Sequence, residues 1–197
     1  MRQIDFFGLK IADITIDEVF VKIDALLKKQ TFSWLVTLNP EILVSAQKIP
    51  GLLQYLKKAE LILADGIGIV IGCWLLQKIK LAKIAGIDLV EQMLAKEKYT
   101  FYLVGSTEKV MMKMVQIIEH KYPGSKLKGY HHGYYDLAQE KKILVDIKEK
   151  KPDIILVGLG FPNQDLFLKK LKALGPEHGI GVGVGGSFDV LTGEKKR

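Results

Sequence analysis

Hydrophobic positions follow two rhythms along the chain. Short continuous apolar runs recur at FSWLVTL (32–38), LILA (61–64), FYLVG (101–105), DIILVGLG (153–160) and GIGVGVGG (179–186). Between them lie longer stretches with apolar residues three and four apart, such as Val19, Phe20, Ile23, Leu26 and Leu27. Continuous runs suit strands covered on both faces, and the 3.6-residue spacing suits amphipathic helices. A strand near 126–130, a helix around 140–150 and a helix after Pro162 extend the alternation. The pattern predicts an α/β protein with a mostly parallel, Rossmann-like sheet and helices on both faces. Residues 2–15 differ: two β-prone pieces around Gly8 predict a small N-terminal hairpin.

Local signals sharpen the boundaries. Asn39-Pro40 ends one strand and opens a helix with proline at a tolerated early position. Pro50-Gly51 separates two short helices, and Tyr122-Pro123-Gly124 breaks a third. Asp88 is placed to cap a helix over 89–98, since its side chain can accept an orphan backbone N–H. The length of 197 residues suits one domain, with two lobes divided near residue 98 as a finer reading.

The stretch LILADGIG (61–68) places a lone carboxylate, Asp65, where an apolar run ends and glycines let the chain turn. Open α/β sheets keep their ligands at that edge. Other apolar runs end in polar residues too: Thr37 and Asn39, Gly105 and Ser106, Gln164 and Asp165, Ser187 and Asp189. Any one of these is more simply a turn or helix cap. Repetition at five strand ends points to a shared crevice, with Asp65 as a candidate general base.

Other motifs are bland. Gly181, Gly183 and Gly186 fit the dinucleotide spacing G-x-G-x-x-G, but no second strand with an acidic residue follows, so a dinucleotide site is not expected. The phosphate-loop and H-E-x-x-H signatures are absent from the sequence, and no metal is expected. His131 and His132 lack acidic or thiol partners at ligand spacing and read as loop or site-edge residues.

Composition narrows the partners. The net charge of +7 suits a phosphate-rich partner or an anionic membrane surface; no nucleic-acid partner is expected. Of 29 basic residues only Arg2 and Arg197 are arginine, so no internal guanidinium fork is available to clamp phosphate. The single Cys73 excludes an internal disulfide and reads as a buried structural thiol in a reducing compartment. No signal peptide is evident, and the apolar stretch 67–77 is about half the ~20 residues a membrane span needs. Oligomeric state stays open, a homo-oligomer included.

Taken in order, TLNPEIL (37–43), LADGIGIV (63–70), AGIDLV (85–90), YLVGS (102–106), GYHHGYYD (129–136), PDIILVGLGFPNQD (152–165) and GVGGSFDVLTGEKKR (183–197) resemble the WecG/TagA/CpsF family of bacterial glycosyltransferases. The resemblance implies an inverting, metal-independent transfer of N-acetylmannosamine, or its uronic acid, from a UDP-sugar to N-acetylglucosamine on undecaprenyl diphosphate. In the Gram-positive branch this step builds the linkage unit of wall teichoic acid. The enzyme would work as a peripheral protein at the cytoplasmic face of the cell membrane.

Carried over residue by residue, Asp65 is the base, while Thr37, Asn39 and Asp88 belong to the substrate pocket. Gly105, Gly158, Gly160, Gln164 and Asp189 belong to the nucleotide side, with Tyr134 or Tyr135 stacked on the uracil. The lobe 1–98 would then serve acceptor and catalysis, and 99–197 the nucleotide. Two departures stand out. Family members usually read Lys-Gln-Glu after the proline matching Pro162, where this chain has Asn163-Gln164-Asp165. They also continue past the position of Arg197 through an arginine-bearing segment, so a phosphate clamp is expected to be missing from these residues. The alternative is a non-catalytic nucleotide-binding, membrane-associated module in which Asp65 only caps a helix.

Overall fold

A computed structural model describes residues 2–196. Strands β1 (Arg2–Phe6) and β2 (Leu9–Asp13) form the expected antiparallel hairpin around Gly8. The remaining strands are β3 (Ser33–Leu38), β4 (Leu61–Ala64), β5 (Thr100–Gly105), β6 (Lys126–His131), β7 (Ile154–Gly158) and β8 (Ile180–Gly183). They form one all-parallel sheet in the order β4-β3-β8-β7-β5-β6.

Nine helices lie among the described residues: α1 (Ile16–Leu27), α2 (Pro40–Lys48), α3 (Leu52–Leu56), α4 (Gly66–Gln77), α5 (Gly86–Ala95), α6 (Glu108–Lys121), α7 (Leu137–Lys150), α8 (Asn163–Ala173) and α9 (Ser187–Leu191). Strand side chains alternate between two cores, as a period of two demands. Trp34, Val36, Ile62 and Ile155 pack with the hairpin, α2, α3, α4, α7 and α8. Leu35, Leu63, Leu156 and Val182 pack with α1, α5, α6 and α9 on the opposite face. Burial on both faces is why these strands read as unbroken apolar runs.

Chain direction sets the place of the site. After β3 the chain leaves through α2 toward β4, whereas after β8, on the other side of β3, it turns into α9 on the opposite face. The connections therefore part between β3 and β8, a topological switch point that opens a crevice at the carboxyl ends of the strands.

Several boundaries differ from expectation. Asp88 does not cap α5: Ala85 is the N-cap and Asp88 falls in the first turn. The cause lies outside the helix, because Ile84 N–H donates to Ala64 O at 3.0 Å and draws the chain back over the end of β4. Helix α7 begins at Leu137, fixed by a capping box between Asp136 and Gln139. Strand β8 stops at Gly183, and Gly185 turns with φ +51° into the unanticipated α9.

Candidate active site

The crevice has a volume of about 530 Å³, within the range of small-ligand sites. The connections after β3, β4, β7 and β8 line it, and they bring together Thr37, Asn39, Asp65, Gly160 and Gln164.

Asp65 sits where β4 ends and α4 begins. Its N–H donates to Leu38 O at 2.8 Å, and Gly66 follows with φ +78°, a left-handed turn cheap only for glycine. Although Asp65 is the N-cap position of α4, its carboxylate makes no capping hydrogen bond. Burial raises its pKa above the ordinary carboxylate range; the backbone N–H of Gly86, nearby Lys83 and the N–H of Gly66 oppose this only in part, and Asp88 adds to the rise. A partly buried carboxylate held above its usual pKa is what a general base near neutral pH requires.

Thr37 and Gly86 complete this corner. Thr37 is buried and its hydroxyl donates to Gly183 O at 3.3 Å, tying β3 to β8. A methyl group on Gly86 would lie 3.3 Å from both Asp65 Oδ2 and Thr37 Oγ1. Asn39 also lines the crevice, while its Oδ1 accepts from Ile42 N–H at 2.8 Å and caps α2.

The opposite wall is the first turn of α8 and the glycine-rich loop after β8. Gln164 Oε1 accepts from Gly185 N–H at 2.9 Å, and a Cβ on Gly183 would fall 2.5 Å from Gln164 Nε2. Gly183 is thus a glycine so that Gln164 can fit against the strand. Gly181 serves packing too, with Leu168 and Phe32 at 2.4 and 2.7 Å from its missing Cβ. Asp165, one position on from Gln164, turns into the core: it is 2% exposed, its Oδ2 has no partner, and burial raises its pKa to about 7.

A second cluster adjoins the crevice. Gly105 (φ +147°) approaches Gly158 so closely that a Cβ there would lie 2.3 Å from Gly158 O. Ser106 N–H donates to the same carbonyl at 3.2 Å, and Ser106 Oγ donates to Asp189 Oδ1 at 3.1 Å. Gly158 links this cluster to the crevice, with Gly185 O 2.8 Å from its missing Cβ. Gly105, Gly158, Asp189 and Asp88 thus stand beside the crevice lining without belonging to it. Tyr135 is further off, half-buried with its ring beside His131 and Phe167, while Tyr134 is exposed.

Sequence reasoning missed Gly86, Glu41, Lys195 and Lys196, which also line the crevice. The two lysines matter most. Lys195 N–H donates to Asp189 O at 3.0 Å, which brings the end of the α9 segment back to the site. They supply cations that neither 163–165 nor any internal arginine provides.

Fold and crevice together define an α/β protein with a polar site at the carboxyl edge of a parallel sheet, built around a raised-pKa aspartate. The chain belongs to the WecG/TagA/CpsF family of glycosyl transferases, whose model matches residues 4–197. It is 35% identical over 168 residues to a protein of Bacillus spizizenii, covering 84% of this chain and 64% of that protein. A Bacillus subtilis protein is 34% identical over 165 residues, covering 82% and 63%. A Staphylococcus aureus protein is 31% identical over 200 residues, covering 99% and 78%. All three are named N-acetylglucosaminyldiphosphoundecaprenol N-acetyl-beta-D-mannosaminyltransferase. The chain thus spans just under two thirds of the length of the two Bacillus relatives.

Proposed function

We propose that the protein transfers N-acetylmannosamine from UDP-N-acetylmannosamine to N-acetylglucosamine on undecaprenyl diphosphate, with inversion at the anomeric carbon. The observation that carries this is Asp65: a partly buried carboxylate with a raised pKa, unused as a helix cap, in the crevice of a chain that resembles proteins named for this transfer.

In the proposed step, an acceptor hydroxyl oxygen attacks the anomeric carbon as the bond from that carbon to the UDP oxygen breaks. The hydroxyl proton passes to Asp65, and the electron pair of the broken bond leaves on UDP. A positioned base contributes about 10²- to 10⁴-fold. Lys195 and Lys196 stand at the crevice to offset charge developing on the diphosphate, a term often larger still. Thr37 and Asn39 bind sugar hydroxyls, and the loop fixed by Gln164 holds the nucleotide with the Gly105–Gly158 cluster beside it.

Transfer is proposed to need no metal. No helix among the described residues is long and apolar enough to cross a membrane. A lipid-linked acceptor would be met by peripheral association with the inner face of the cell membrane, on the way to wall teichoic acid or a related surface polymer.

The test is release of UDP from UDP-N-acetylmannosamine, with and without the diphosphate-linked acceptor and with excess EDTA. Acceptor-dependent, EDTA-resistant release is expected. Binding of UDP without acceptor-dependent release would favour a non-catalytic nucleotide-binding module.

A further inference from the structure

Helix α4, GIGIVIGCWLLQ, carries no charged residue, yet only Ile69 and Cys73 are buried among its residues. Its inner side lies against Phe6 and Pro40 at Gly72 and Gly68, where an added Cβ would fall 3.0 and 2.5 Å from those side chains. Its outer side is an uncovered apolar stripe: Ile67, Ile71, Trp74 and Leu75, spaced at helical intervals, are 61%, 44%, 52% and 55% exposed. Lys78, Lys80 and Lys83 follow at once and are all exposed. The Lys78 ammonium lies 5.4 Å from the Trp74 ring centroid.

An exposed apolar face of this kind marks a contact surface. We propose that the outer face of α4, with the three lysines that follow it, docks on an anionic lipid surface. Charge complementarity selects this occupant. From Gly66 to Ile87 the sequence holds lysines and no acidic residue, so a second copy of the stripe offers them no carboxylate. A bilayer rich in anionic headgroups supplies both an apolar boundary for the stripe and a counter-charge for the lysines.

The placement also has a consequence for the site. Asp65 immediately precedes α4, which is about 18 Å long at 1.5 Å per residue. Docking through α4 holds the crevice beside the membrane surface, where the head of a lipid-linked sugar lies. The inference rests on the transferase reading for its purpose, but its evidence is the surface alone.

Tryptophan fluorescence tests it, because Trp34 is fully buried and stacked on Tyr55, leaving Trp74 to report. With phosphatidylcholine vesicles containing about one third phosphatidylglycerol, emission shifts to the blue and brominated acyl chains quench it. An Ile71→Glu, Leu75→Glu double variant, altered only at exposed positions, loses at least about tenfold in vesicle affinity. Replacing Lys78, Lys80 and Lys83 by Gln weakens binding by about fivefold per lysine, and less at high salt.

Unchanged Trp74 emission, equal affinity of the double variant, or equal binding to pure phosphatidylcholine would overturn the proposal. So would a dimer in sedimentation that the double variant dissociates while vesicle binding is kept. Turnover of a short-chain soluble acceptor without vesicles is measured in parallel. Its failure in the unaltered protein counts against the transferase reading, while the fluorescence alone decides docking.

Discussion

The carboxylate of Asp65 and the α-carbon of Gly86 face each other so closely that a methyl group on the glycine would stand 3.3 Å from Oδ2. The same methyl would meet Thr37 Oγ1 at 3.3 Å. Gly86 begins α5 without a positive φ, so alanine suits its backbone. Gly86→Ala is therefore expected to fold, with stability changed by no more than about 1 kcal/mol, and to lose about tenfold in turnover, as the space between base and substrate closes. Thermal unfolding and steady-state kinetics on one preparation separate the two effects.

Gln164 fixes the loop after β8 through its bond from Gly185 N–H. Gln164→Leu keeps the bulk and removes the acceptor. Stability should fall by about 1 kcal/mol, and the KM for the nucleotide sugar should rise more than kcat falls. Equal loss in both constants would place Gln164 in the chemical step instead.

Asp165 gives stability an unusual pH dependence. Burial raises its folded pKa to about 7, above the ~3.9 of an unfolded aspartate. Its contribution is complete below about pH 4 and is lost as pH rises toward 7, because the unfolded chain releases the proton first. Asp165→Asn should flatten that slope and stabilise the protein at pH 8 by about 2 kcal/mol. Denaturant unfolding at pH 5 and pH 8 reads the difference; parallel curves for the two proteins would contradict it.

Lys195 and Lys196 carry the proposed charge compensation for the leaving diphosphate. Replacing both with Gln should lower kcat about tenfold or more, with helix content and melting temperature unchanged because both side chains are exposed. Unaltered turnover would show that the diphosphate is balanced by other groups.

Much of the fold was legible because burial on both sheet faces leaves unbroken apolar runs, such as LILA in β4 and IILVG in β7. Asp65 was legible for the same reason, as a carboxylate at the end of such a run before Gly66. The start of α5 was not: Asp88 is a good capping residue locally, but the bond from Ile84 to Ala64 starts the helix earlier. The start of α7 is written in the capping box of Asp136 and Gln139, three residues ahead of the point where apolar spacing alone begins the helix. Gly86, Lys195 and Lys196 could not be placed at the site from their neighbours in sequence, because only the return of two distant segments to the strand edge brings them there. Gly181 and Gly183 look like a ligand loop in sequence, and their space is filled by Leu168, Phe32 and Gln164.

The most direct measurement concerns Asp65 as the base. Because burial raises its pKa, kcat/KM should rise with pH along an acid limb above the range where an exposed aspartate titrates. In Asp65→Asn that limb should vanish. Turnover should fall by about 10²-fold or more, while UDP affinity by calorimetry stays within about twofold, since the nucleotide-side groups are untouched. Near-normal turnover with the acid limb intact would contradict Asp65 as the general base.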